Sequence, residues 1–219
     1  MGNLSLTLFL SIIIPLTMAL LVFDVKTRTS ILFLMIGILA CFFCGELNGI
    51  LLKWLDMPTR EFTVNITPIT EEIAKAYPLF LYAFLFKPDR VKLKETAVVI
   101  GIGFAILENA FVLASNADSI SVGLALIRGF GSGMMHGVCT LSVGYGISFV
   151  YSKKKLVVPG SFAMMCIAIS FHSIYNNLVQ STYKYIGFAL PMLAFIPLII
   201  VIRREKTKAM KKKEEKAHA

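Results

Sequence analysis

The sequence predicts an all-α fold, a polytopic bundle of about seven transmembrane helices. Three observations predict it. The 219-residue chain is 57% hydrophobic and only 16% charged, where soluble domains carry roughly 25% charged residues. Its apolar runs reach about 20 residues, the length that crosses a bilayer core as a helix. Its basic residues alternate from one connection to the next, as they do in multi-span proteins.

The first run, 4–23, has no Lys or Arg before it and no clear small-residue cleavage site. It reads as a retained helix rather than a signal peptide. Further runs lie at 31–55, 67–86, 95–115, 120–151, 158–180 and 185–202. The connections are short and no internal repeat is evident, so 1–202 reads as one transmembrane domain and 203–219 as a basic cytoplasmic tail. Cys41, Cys44, Cys139 and Cys166 all fall in apolar segments, where they read as small apolar residues and not as a disulfide framework. The fifth run is rich in glycine. Gly129, Gly133 and Gly137 are four apart and share a helix face, a spacing that lets helices approach closely in lipid. That helix is expected to be central, and its length implies tilt or a local break near Gly129 to Gly133.

Charge sets the orientation. With the C-terminus in the cytoplasm, the inside segments hold Lys26 and Arg28; Lys87, Arg90, Lys92 and Lys94; Lys153 to Lys155; and the basic residues after Ile202. The outside segments and helix ends hold only Lys53, Arg60 and Lys184. The positive-inside rule then puts the N-terminus outside. Trp54, Tyr183 and Tyr185 fall at the outer interface, a level that suits aromatic side chains. The net charge of +9 sits mostly in the tail and short loops. This fits anchoring beside an anionic leaflet and argues against a nucleic-acid partner.

Six charged residues lie within the runs away from their ends: Glu46, Glu71, Glu72, Lys75, Glu108 and Arg128. Summed without partners they would cost roughly 15–20 kcal/mol, so they must pair, face a cavity or change protonation state. His136, His172 and Asn176 accompany them. Glu71 and Glu72 are each within one helical turn of Lys75 but point about 100° apart, so their roles differ. His172 and Asn176 are one turn apart. Most of the set falls in the outer half of the bilayer, with His136 nearer its middle. Arg128 and Glu46 read as supports, Arg128 as counter-ion to a glutamate.

Peptide hydrolysis in a membrane needs admitted water, a base and donors for the developing oxyanion. A glutamate serves as base, and a His–Asn pair as donors to the carbonyl oxygen or leaving group. A divalent metal such as zinc, held by glutamate and histidine, also fits this residue set, although no His-Glu-x-x-His motif is present. Its donors would come from Glu71, Glu72, Glu108, His136 and His172. A serine mechanism is disfavoured: Gly131-Ser132-Gly133 follows Phe130 where a rhomboid-type motif has glycine, and His136 is on the same helix.

Four segments together resemble the PrsW family of membrane-embedded proteases, and more distantly the CAAX-processing and bacteriocin-processing membrane proteases. Glu71-Glu72-Ile73-Ala74-Lys75 is similar to the family's Glu-Glu-x-x-Lys motif. Gly103-Phe104-Ala105-Ile106-Leu107-Glu108-Asn109 is similar to its Gly-Phe-Ala-x-x-Glu-Asn motif. Arg128 with His136 resembles its arginine-then-histidine motif in a glycine-containing helix, and His172-Ser173-Ile174-Tyr175-Asn176 its His-x-x-x-Asn motif. Some members carry a third acidic residue before the Glu-Glu pair, where this chain has Thr70. The resemblance implies a multi-pass protease of the bacterial cytoplasmic membrane. It would make the site-1 cut in a single-span anti-sigma factor, on the extracytoplasmic side. It also implies Glu71, Glu72 and His172 as leading catalytic residues, with Glu108, His136 and Asn176 beside them and Lys75, Asn109 and Arg128 in support.

Two other classes compete. Intramembrane Glu, Lys and His also build proton-coupled transporters, but the chain lacks the paired halves common in those folds. An inert receptor or immunity protein on the same scaffold would not need the Glu-Glu and His-x-x-x-Asn segments.

Overall fold

The computed structural model describes residues 2–118, 121–150 and 154–217. Residues 120 and 151 of the fifth expected span, Lys153 of the basic loop and residues 218–219 of the tail lie outside the described residues. The described chain is helical, without strands: α1 (Gly2–Val22), α2 (Val25–Leu55), α3 (Thr59–Asn65), α4 (Thr67–Phe86), α5 (Arg90–Ser115), α6 (Val122–Val150), a 3₁₀ turn (Lys154–Leu156), α7 (Val157–Val179) and α8 (Lys184–Ala217). Among the described residues, α1, α2, α5, α7 and α8 are long and apolar enough to cross a membrane. The other two expected spans, α4 and α6, have 20 and 29 residues. Their apolarity is lowered by Glu71, Glu72 and Lys75 in α4, and by Arg128, His136 and several glycines in α6.

Several helices start earlier or end later than hydropathy implies. The Asp24 carbonyl accepts the Arg28 N–H, and α2 begins at Val25, so Arg28 sits on its first turn. Asp89 caps α5, its carboxylate accepting the Lys92 N–H at 2.9 Å. Lys92 and Lys94 are therefore helical too. Lys87 ends α4 in the left-handed region, at φ 47°. Nothing stops α8 at Ile202, and it runs on through the basic tail to Ala217. Its first tail turn is docked: Glu205 pairs with Lys94 and Lys206 with Glu95.

α6 is central, as expected, with α4, α5, α7 and α8 packed around it. It is continuous, with no break at Gly129 to Gly133. The closest approaches are not made by the glycine face the spacing singled out. A Cβ on Gly129 or Gly133 would meet nothing, and one on Gly137 would meet only the Phe195 ring. The tight crossings lie on α5 instead. Gly101 is pressed against the His136 carbonyl of α6, and Gly103 against the Leu34 backbone of α2. Two apolar clusters flank α5. One holds Leu79, Ile100, Met135 and Val143; the other holds Ile38, Cys41, Phe104 and Leu107. The outermost helix, α1, rests on the second through Leu8, Phe9, Ile12 and Leu16. All four cysteines are free thiols.

Where backbone meets an added Cβ, neither helix can yield locally. Gly103→Val is therefore expected to destabilise the bundle by about 2–3 kcal/mol, whereas Gly133→Ala stays within about 0.5 kcal/mol of wild type. Thermal unfolding in detergent measures both, and equal effects would contradict this packing.

Candidate active site

Four helices supply one connected set of polar side chains. Glu71, Glu72 and Lys75 come from α4, Glu108 from α5, Arg128, Ser132 and His136 from α6, and His172 from α7. Gly101, Phe104 and Glu108 lie along one face of α5. The Gly101 crossing thus brings that face onto α6, next to His136. The Phe104 ring packs 5.0 Å from His136 and 4.9 Å from Lys75 Nζ, a cation–π contact.

The hydrogen bonds form an unbroken chain. Arg128 donates to Glu108 Oε1 at 3.0 Å, and Ser132 donates to Glu108 Oε2 at 3.2 Å. His136 Nε2 meets Glu108 Oε2 at 2.6 Å, and its Nδ1 meets Lys75 Nζ at 2.8 Å. Lys75 also donates to Glu72 Oε1 at 2.6 Å. That oxygen takes a second bond, from His172 Nδ1 at 2.7 Å. Lys75, Glu72, His136 and His172 are each at most 2% exposed.

The donor rules fix both imidazoles. An ammonium only donates, so His136 Nδ1 accepts from Lys75 and its Nε2–H donates to Glu108. A carboxylate only accepts, so His172 Nδ1–H donates to Glu72. His172 Nε2 then carries a lone pair, and it faces Glu71 Oε2 at 3.7 Å. That carboxylate oxygen is buried and has no hydrogen-bond partner. Two acceptors facing each other at this distance need a cation or a proton donor between them. Glu71, His136 and His172 each offer one ligand atom, all within 4.8 Å of one another. Two nitrogens and one carboxylate oxygen suit a catalytic zinc-type ion, and Glu72 behind His172 is the usual orienting partner. The residues fit a metal. His136 is the least free of the three, since both its nitrogens are engaged.

A cavity of about 240 Å³ reaches Glu71 and Glu108 of this set. Its walls include Glu46, Phe62, Thr63, Glu71, Leu107 and Glu108. Glu72 is not among its lining residues, which separates the two neighbouring carboxylates. The short helix α3 forms one wall. It is absent from the sequence reading because seven residues with one buried apolar side chain, Phe62, give no hydrophobic period. Asn176 belongs to this wall rather than to the charged chain: its amide donates to the Thr63 carbonyl at 2.9 Å, and Ser173 donates to the Val64 carbonyl at 2.6 Å. Five of the six leading residues thus come together, and Asn176 stands one turn away holding α3. Asn109 sits beside Glu108 with its Oδ1 buried and without a hydrogen-bond partner. Arg128 pairs with Glu108 and not with Glu46, which accepts from Ser5 of α1 at 3.0 Å. Thr70 donates to Asn48 of α2 at 2.7 Å. Ser132 escaped the sequence reading as a partner of Glu108, although it lies one turn before His136 on the same face.

A helical membrane bundle with buried carboxylates, histidines and a cavity running to them is built as a membrane-embedded hydrolase. The chain belongs to the PrsW family of intramembrane metalloproteases, whose family model matches residues 26–202. It is a peptidase and a multi-pass membrane protein, and membership decides against the transporter and inert-receptor readings. The chain has no match among curated proteins and none among solved structures.

Removing one member of a buried ion pair strands the other. Lys75→Met is expected to cost about 3–5 kcal/mol. Adding Glu72→Gln should restore part of that loss, giving a coupling well above 1 kcal/mol in a double-mutant cycle of unfolding in detergent. Simple additivity would show that Lys75 and Glu72 are not coupled.

Proposed function

We propose that this chain hydrolyses a peptide bond in the extracytoplasmic, membrane-proximal stalk of a single-span membrane protein such as an anti-sigma factor. Such a cut is the site-1 step that precedes intramembrane cleavage. One observation carries the reading: the buried, unpartnered Glu71 Oε2 and the His172 Nε2 lone pair face each other beside the cavity that Glu71 lines. Glu71, His172 and His136 would hold the metal. When bound, such an ion acidifies water and polarises the scissile carbonyl.

The chain's own residues divide the remaining work. Glu71 lines the cavity and so meets the entering water, as a ligand where the ion is bound and as the proton acceptor where it is not. Glu72 does not meet it; it fixes the His172 ring through Nδ1–H and is itself held by Lys75. Glu108 fixes His136 and is neutralised by Arg128. Asn176 keeps α3 in place, so that Thr63 and Phe62 shape the channel along which the extended substrate reaches Glu71. In this proposal seven helices cross the bacterial cytoplasmic membrane, with α4 and α6 as the polar spans. The N-terminus is outside, so the α3 end of the cavity opens outward.

A purified single-span substrate with an extracytoplasmic stalk tests this. Glu71→Gln, Glu72→Gln and His172→Ala are each expected to slow cleavage by about 100-fold or more, with helical content unchanged. Wild-type rates in all three would sink the site. Metal analysis of the same preparations should find a divalent ion in wild type that His172→Ala has lost; a metal-stripped enzyme of full activity would overturn the donor assignment. For the topology, a cysteine at Lys92 in intact cells should resist an impermeant maleimide, while one at Arg60 should react. The opposite pattern would invert the bundle.

A further inference from the structure

We infer that the chain carries a binding site for an anionic glycerophospholipid, in a cavity of about 410 Å³ where the start of α2, the start of α5 and the tail-ward part of α8 meet. This is the end of α2 opposite to α3, away from the active-site cavity. Lys92, Arg203 and Lys206 line it, and its one acidic lining residue, Glu95, is already paired with Lys206. The walls therefore carry a net excess of two positive charges. The Lys92 and Arg203 side chains have no acidic partner among the described residues. Below this basic rim the lining turns apolar, with Phe33 and Ile199 on facing helices.

The graded lining selects the ligand. Two free cations suit a phosphate diester. The apolar floor suits the glycerol esters and first methylenes of acyl chains, which a free phosphate would leave unfilled. Charged residues flanking apolar spans mark the headgroup level of a bilayer, and basic pockets between spans at that level bind anionic lipid headgroups. The cavity is also preformed. Lys94 is almost fully buried, pairs with Glu205 and lies 4.7 Å from the Tyr145 ring centre. With Lys206–Glu95, this holds α8 against α5 and sets Arg203 and Lys206, three residues apart, toward the cavity. The inference depends neither on which side of the membrane this end faces nor on the proteolytic mechanism.

Native mass spectrometry of the full-length protein, offered phosphatidylglycerol and phosphatidylcholine of equal chain length, is the test. Phosphatidylglycerol should be retained about tenfold better. Lys92→Gln/Arg203→Gln should abolish that preference, while Lys208→Gln/Lys211→Gln, an equal charge loss further along the tail, should keep it. Val99→Phe narrows the floor without changing charge and should also weaken retention, which covers the case in which the double charge variant does not fold. Equal retention of the two lipids, or equal loss in the distal-tail control, would overturn the site. So would protection against heat by inorganic phosphate alone equal to that given by phosphatidylglycerol.

Discussion

Ionic groups inside a hydrocarbon-embedded bundle must be paired, and in this protein one chain of contacts does the pairing. Contacts run from Arg128 through Glu108, His136, Lys75 and Glu72 to His172, each carboxylate lying between a cation and an imidazole. Each link crosses between helices or locks neighbours within one, so α4, α5, α6 and α7 share a single electrostatic solution. Arg128 offsets Glu108 and Lys75 offsets Glu72. Glu71 is the carboxylate left over, and it lines the cavity. That uncompensated charge thus stands where a metal ion or a proton can reach it, while Glu72 and Glu108 are already paired with Lys75 and Arg128.

That arrangement depends on helix separation. The charged chain needs α5 and α6 close enough for a 2.6 Å contact between Glu108 and His136. Gly101 provides the approach by leaving room for the His136 carbonyl itself. The same helix is held to α2 at Gly103, so Glu108 is fixed from two sides. The two neighbouring glutamates diverge because one residue turns an α-helix by about 100°. Glu72 turns into the core toward Lys75 and His172, and Glu71 turns toward the cavity wall shared with α2 and α5.

Much of this was legible in the sequence, because intramembrane charge is costly enough to be informative by its mere presence. The runs of apolar residues gave the helices, and one-turn spacing correctly joined Glu72 to Lys75. What escaped it has physical causes. The α2 start at Val25 and the Asp89-capped start of α5 both lie in segments that hydropathy reads as loops. The four-residue glycine spacing pointed to Gly129 and Gly133, which face open space, because spacing identifies a shared face but not what that face meets. The sequence places His136 nearer mid-depth and names no partner for it, and it lies between Lys75 and Glu108, a contact set by crossing geometry between helices far apart in sequence.

The His-x-x-x-Asn segment shows how one turn of helix serves two ends. His172 faces inward, where Glu72 fixes its tautomer and leaves Nε2 toward Glu71. Asn176, four residues later, reaches the Thr63 carbonyl of α3, and Ser173 reaches Val64 beside it. Backbone carbonyls near the end of a short helix are acceptors without full intrahelical partners, so these side chains hold α3 by groups that its own length leaves free. The wall of the cavity and the orientation of the histidine behind Glu71 are therefore anchored to the same rigid turn. Any tilt of α7 would displace both together, which couples access to the site with the geometry inside it.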